Sequence, residues 1–151
     1  MGRKHIALRK GRHSVSGQIY LVTFTTARRQ PYFSEWAIAA DAARLMTAKG
    51  DWQGSQLLAW VLMPDHWHGL MQLGEGETLP GRVGWIKAHA ARQPRKAHPD
   101  IGRIWAGAYH DRALRKEDDV LQVARYLVLN PVRAGLARRV GDYPFWDAVR
   151  I

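Results

Sequence analysis

Residues 57–73, LLAWVLMPDHWHGLMQL, decide the architecture. The apolar run from Leu57 to Met63 suits a central strand buried on both faces, Pro64 and Asp65 supply a tight turn, and His66 to Leu73 resume as a second strand. Successive strand residues point to opposite sides, so His66 and His68 share one face while Trp67 takes the other.

Outward from this hairpin, QIYLVTFTT (18–26) alternates faces and is rich in β-branched and aromatic residues, which predicts a first strand. A helix over EWAIAADAARLMTAK (35–49) follows, with Ser34 as its cap and Gly50 as its stop. A second helix fits residues 80–93, entered at Pro80 and ended before Pro94, and RKAHPDIG (95–102) reads as a basic loop. IWAGAYH (104–110) is a weaker strand. Glu117, Asp118 and Asp119 then place negative charge at the start of a helix that runs to Asn130, with Pro131 ending it. The order βαββαβ plus a C-terminal helix is an α+β, ferredoxin-like antiparallel sheet with helices on one face. That fold hosts many unrelated activities, so function has to come from side chains. Trp36, Trp60, Trp85, Trp105 and Trp146 fall in apolar patterns and are expected in the core, whereas Trp52, beside Gly50 and Asp51, is the candidate for an exposed ring.

The chain has 151 residues and a formal net charge of +10, from 23 Lys+Arg against 13 Asp+Glu. Its 46% hydrophobic content excludes disorder for most of its length. With no cysteine there is no disulfide, thiolate metal site or cysteine nucleophile, so any metal binds through His, carboxylate or amide oxygen. Cysteine-free composition, no secretory signal and no membrane-length apolar run together predict a cytoplasmic protein without membrane contact. The positive charge is concentrated in a basic N-terminal arm (1–16), holding Arg3, Lys4, Arg9, Lys10 and Arg12, and in a central stretch from Arg82 to Lys116. Two such segments suit a clamp on nucleic acid, the plainer alternative being a solvated surface with a basic tail. Residues 17–151 read as a single domain.

The helix ending at Asn130 gathers Val120, Leu121, Val123, Ala124, Leu127 and Val128 on one apolar face, and sets Gln122, Tyr126 and Asn130 along a separate stripe. Tyr126 and Asn130 therefore point the same way. A metal held by two imidazoles and an amide oxygen keeps open positions, and can polarise a phosphate oxygen while a tyrosyl oxygen attacks phosphorus. Imidazole suits Mn²⁺ or Zn²⁺ better than Mg²⁺, although an open site still accepts Mg²⁺. The competing structural reading is a satisfied histidine pair, a boundary tyrosine with a wet hydroxyl, and a helix-end asparagine.

VLMPDHWHGLMQL (61–73), WAGAYHDRALR (105–115), YLVLNPVRAGL (126–136) and YPFWDAV (143–149), in this order, resemble the REP-associated tyrosine transposases. These are bacterial relatives of small insertion-sequence transposases in the HUH single-strand nuclease superfamily. The resemblance covers most of the chain from residue 17 onward, so 17–151 would be one HUH-type domain. It implies His66 and His68 as metal ligands, Asn130 as the third ligand where many relatives carry Gln, and Mg²⁺ or Mn²⁺ as the cofactor. Tyr126 becomes the nucleophile that links to a 5′ phosphate. The implied activity is that of a single-stranded DNA endonuclease and strand transferase on REP-type hairpins, working on the bacterial nucleoid. Relatives include monomers and dimers, and no residue here decides between them.

Candidate DNA contacts are the arm residues Arg3, Lys4, Arg9, Lys10 and Arg12, then Lys87, Arg95, Lys96, Arg103, Arg112 and Arg115, and Arg133 just after the tyrosine helix. Arg133 has an equal structural alternative in fixing the turn, and His110 and Asp111 lie either in an ordinary polar turn or near the site. Two other function classes compete: a non-catalytic nucleic-acid-binding module with a ferredoxin-like fold, and a hydrolase using His66 and His68 to hold Zn²⁺ and activate water.

Overall fold

The computed structural model describes residues 14–100, 102–115 and 118–149. The expected basic arm lies outside these residues up to position 13. Five antiparallel strands form one sheet in the order β4-β1-β3-β2-β5. They are β1 (Ile19–Thr25), β2 (Gln56–Met63), β3 (His66–Gln72), β4 (His110–Ala113) and β5 (Trp146–Ala148). The first four follow ferredoxin-like connectivity, and β5 adds an edge beside β2. The β2–β3 hairpin closes at Met63 opposite His66 around Pro64 and Asp65, as its sequence predicts.

Helices cover both faces of this sheet. On one side α1 (Trp36–Met46) and α2 (Leu79–Ala90) pack over Tyr20, Val22 and Phe24 of β1, Trp60 and Leu62 of β2, and Trp67 and Met71 of β3, and α3 (Arg92–Ala97) packs against α1 and α2. On the other, α4 (Val120–Val128) sets Ala124, Leu127 and Val128 against Ala59, Val61, Met63 and Leu70. The apolar stripe of α4 thus serves as the sequence predicts, except at Leu121, which is exposed. Its start is capped by Asp119, whose carboxylate accepts from the amides of Leu121 and Gln122. Among the described residues no helix is long and apolar enough to cross a membrane.

Several element boundaries differ from expectation for local reasons. Ser34 does not cap α1. Its hydroxyl instead donates to the Pro31 carbonyl, and Glu35 occupies the cap position without a side-chain bond. α1 stops at Met46, before Gly50, where the Thr47 hydroxyl turns back to the Ala43 carbonyl. Pro94 sits inside α3 rather than ending its predecessor, because a proline in a first helical turn removes an amide that would be unpaired anyway. The predicted strand at 104–110 shrinks to a single bridge between Trp105 and Thr26, and the strand proper begins at His110. Lys87 explains this. Its ammonium takes the carbonyls of Ala106 and Ala108, while the Trp105 indole donates to the Lys87 carbonyl, which pulls the segment off the ladder.

The tryptophan expectation reverses at two positions. Trp52 is 5% exposed, with its indole N–H on the Met46 carbonyl and the Arg82 guanidinium 4.8 Å from its ring. Trp36 is 64% exposed, touching Phe145 with ring centroids 5.0 Å apart. Arg82, counted in the basic stretch, is likewise buried, donating to Glu77 and to the carbonyls of Asp51 and Trp52. It is an internal cation with a structural task.

Candidate nuclease site

His66 and His68 emerge from β3 on the face that α4 covers in part, and their rings meet edge to face with centroids 4.7 Å apart. Each ring is oriented through Nδ1. Asp65 can only accept, so His66 Nδ1 donates to its carboxylate at 2.7 Å. His68 Nδ1 lies 2.8 Å from the Thr23 hydroxyl, which is opposite it in the β1–β3 register. Neither Nε2 has a hydrogen-bond partner among the described residues. Two adjacent imidazoles with Nδ1 engaged and Nε2 free are the arrangement that metal-binding histidines adopt.

Trp67 holds this pair in place from behind. Its ring is fully buried against the Phe24 ring, with centroids 5.0 Å apart, and lies across Gly69, where a Cβ would come within 1.9 Å of it. The glycine is required by this close approach. Trp67 thus lies on the face opposite the histidines, as the strand alternation predicts.

A loop from β1 clamps the turn before His66. Thr26 donates its amide to the Asp65 carbonyl, and the Phe33 amide donates to that of Pro64. Between them Arg28 and Arg29 occupy the left-handed region, with φ of 56° and 55°, a conformation that costs non-glycine residues energy. Arg29 uses this geometry to place its Nε 3.0 Å from the Asp65 carboxylate. Burial alone would raise the Asp65 pKa, but the hydrogen bonds from His66 and Arg29 outweigh it and hold the carboxyl below its usual range. For His68, burial first, then the charges of His66, Arg133 and Arg29, lower the pKa to about 4. The ring is therefore neutral at pH 7, the form a ligand requires.

Tyr126 stands on the outer side of α4 and is 67% exposed. The Arg133 guanidinium sits 3.7 Å from its ring centroid, and the same charge acts on His68, so Arg133 lies near both. The helix does not run straight to Asn130. Pro131 lacks an amide and crowds the Leu127 carbonyl, so α4 ends at Val128 and α5 (Asn130–Arg133) begins anew after Leu129. Asn130 is half-buried at the first position of α5, four residues after Tyr126. The turn after α5 is fixed by backbone alone. Gly135, at φ 76°, donates to Val132 and Leu136 donates to Pro131, which frees the Arg133 side chain from the turn-fixing task considered for it.

Among the described residues no three His, Cys, Asp or Glu converge on one point. A third protein ligand drawn from them is then an amide or hydroxyl. Of the basic residues expected at DNA, Arg112 is exposed on β4 and 3.3 Å from Asp118, and Arg103 and Arg115 are exposed in the segments flanking that strand. Arg95 and Lys96 are exposed on α3, in the layer opposite the histidines. The Lys87 ammonium is spent on carbonyls rather than offered to solvent. The sequence reading missed Thr23, Arg29 and Asp65. Asp65 adjoins the His-x-His motif, and Thr23 is reachable by pairing β1 with β3, but nothing local marks Arg29.

A family model described as "Transposase IS200 like" matches residues 14–128. The REP-associated tyrosine transposase of Escherichia coli K12 is 30% identical over 94 residues, which is 60% of this chain and 52% of that protein. The chain spans about half the length of the curated relatives it matches. A solved REP-associated tyrosine transposase bound to a REP hairpin superposes with a TM-score of 0.69 at 25% identity, covering 89% of this chain and 79% of that one.

Proposed function

The chain belongs to the IS200-like transposase family, and from that premise we propose that it is a metal-dependent, single-stranded DNA endonuclease and strand transferase acting on REP-type hairpins through a 5′-phosphotyrosine link. The observation that carries this reading is the histidine pair with both Nδ1 atoms engaged and neither Nε2 bonded among the described residues, on the sheet face partly covered by the helix that carries the exposed Tyr126 with Arg133 over its ring.

The donor set fits a divalent cation. His66 and His68 would hold it through Nε2, with the Asn130 amide oxygen as the third protein ligand. Mg²⁺ or Mn²⁺ so held would supply positive charge to a non-bridging phosphate oxygen. Asp65 keeps the His66 ring in the tautomer that presents Nε2, Thr23 holds the His68 ring in its orientation, and Arg29 steadies Asp65. The Tyr126 oxygen attacks phosphorus, the bond to the 3′ oxygen breaks, and the 5′ phosphate stays on the tyrosine. An ester bond replaces an ester bond, so the free 3′ hydroxyl can later reverse the step and rejoin the strand. Arg133 restrains the exposed tyrosine ring and sets a positive charge where the phosphate arrives.

The partner is single-stranded DNA folded into hairpins, met in the bacterial cytoplasm. Its phosphates would be gripped by the arm residues together with Arg103, Arg112 and Arg115. Incubating the full chain with labelled hairpin oligonucleotides and Mn²⁺, then running a denaturing gel, tests the reading. A metal-dependent covalent adduct is expected with the wild type and absent with Tyr126→Phe, which still binds the hairpin. Binding without adduct by the wild type would favour the non-catalytic module, and cleavage retained by Tyr126→Phe would favour a water-activating hydrolase.

A further inference from the structure

The face that carries the histidines continues one strand beyond them. Thr23 of β1 lies opposite His68 of β3 on one side and opposite His110 of β4 on the other. Directly opposed residues of antiparallel strands project to the same face, and the Thr23 hydroxyl, bonded to His68, identifies which face that is. His110 therefore stands in one cross-strand row with Val61, His68 and Thr23. Two strand spacings set it about 10 Å from His68 across the sheet. That is room for a phosphate group with a hydrogen bond on either side. α4 packs on β2 and β3, and its apolar cluster reaches Ile19 and Leu21 of β1 and Leu114 just beyond β4, but the other end of β4 stays open, where His110 is exposed. Arg112, two residues along the strand, points the same way from a position opposite Leu21.

The proposed cleavage has an unmet requirement at its far side. When the bond from phosphorus to the 3′ oxygen breaks, that oxygen departs as a strongly basic alkoxide unless a proton reaches it in the same step. His66 and His68 have none to spare, since Nδ1 of each is bonded to Asp65 or Thr23 and Nε2 is the ligating atom. The Tyr126 proton is released on the attacking side, opposite the leaving group in an in-line displacement.

We propose that His110 is the general acid for the leaving 3′ oxygen, and the general base for the same oxygen when the strand is rejoined, acting from the open end of β4 on the histidine face. The inference rests on the transesterase reading above. In cleavage, the bond from the Tyr126 oxygen to phosphorus forms and the bond from phosphorus to the 3′ oxygen breaks. The His110 imidazolium gives its N–H proton to the 3′ oxygen, and the phenolic proton passes to solvent. In rejoining, the neutral imidazole takes the proton from the 3′ hydroxyl as that oxygen attacks phosphorus, the bond from phosphorus to the Tyr126 oxygen breaks, and the phenolate takes a proton from solvent. Imidazole is the side chain best suited to giving and taking a proton near neutral pH.

A sulfur leaving group separates this role from a structural one, because a thiolate departs without protonation. The cleaved bond is first mapped with the wild type on a panel of hairpin oligonucleotides with single-stranded flanks, and the 3′ oxygen at that bond is then replaced by sulfur. His110→Ala and His110→Gln should cleave the oxygen substrate about 10²-fold or more slowly than the wild type. Both should approach the wild-type rate on the sulfur substrate, with hairpin affinity unchanged, while Tyr126→Phe stays inactive on both. Equal slowing on oxygen and sulfur, or full activity on oxygen, would overturn the assignment of His110 while leaving Tyr126 as nucleophile. A wild type that forms no adduct on any hairpin would overturn the transesterase reading, and this inference with it.

Discussion

Trp67 and its neighbours His66 and His68 adjoin in the chain but meet different surroundings. The tryptophan is sealed under α1 and α2 with its ring across Gly69, whereas the two histidines remain half-buried with a free nitrogen each. The strand's two-residue period makes this possible, since one face of β3 can be spent on packing and the other on chemistry. Substitutions on the two faces should then separate cleanly into losses of stability and losses of function.

The largest effect is expected on the packed face. Trp67→Ala removes the largest fully buried side chain and should cost about 3–5 kcal/mol in denaturant unfolding, enough to leave much of the chain unfolded. Glu77→Gln comes next, because it strands the buried Arg82 guanidinium without its counter-charge, at a cost of about 3 kcal/mol at pH 7. This loss is pH-dependent. Burial opposes ionisation of Glu77, but hydrogen bonds from Ser55 and Arg82 prevail and lower its pKa below 4.5. The carboxylate thus contributes stability above pH 4.5 that disappears as pH falls through its lower folded value, and the unfolding curves of wild type and variant should converge in acid. Gly69→Ala should cost about 1–3 kcal/mol by pushing a Cβ into the Trp67 ring, measured as a shift in denaturant midpoint.

On the chemical face the expected changes in stability are small and those in function specific. Thr23→Val keeps the shape and removes the hydroxyl that orients His68, so Mn²⁺ affinity by calorimetry should fall about tenfold while the unfolding midpoint moves little. A Trp67 variant with intact stability, or a Thr23 variant that unfolds, would break the division between the faces.

How much of this was legible from the chain alone follows the same division. The hairpin, the alternation around Trp67 and the apolar stripe of α4 are period signals, and they survive folding because burial enforces them. The two prolines differ: Pro131 does stop α4, two residues earlier than the pattern predicts, and then starts α5, whereas Pro94 stops nothing and sits in the first turn of α3, where its missing amide costs nothing. Trp36 and Trp52 exchange roles because burial of a single ring depends on what packs over it, for Trp52 the end of α1 and, from far along the chain, Arg82. Ligand candidates were visible as a spacing, but the groups that orient them were not. Thr23 enters through cross-strand register, and Arg29 enters through two consecutive left-handed residues that no local pattern announces.

The most direct test is peptide mass spectrometry of the covalent adduct formed by the wild-type chain with a labelled hairpin oligonucleotide and Mn²⁺. The account predicts a single modified peptide, carrying a 5′-phosphorylated nucleotide on Tyr126. A nucleotide on any other tyrosine, or cleaved DNA with no modified peptide, would contradict it.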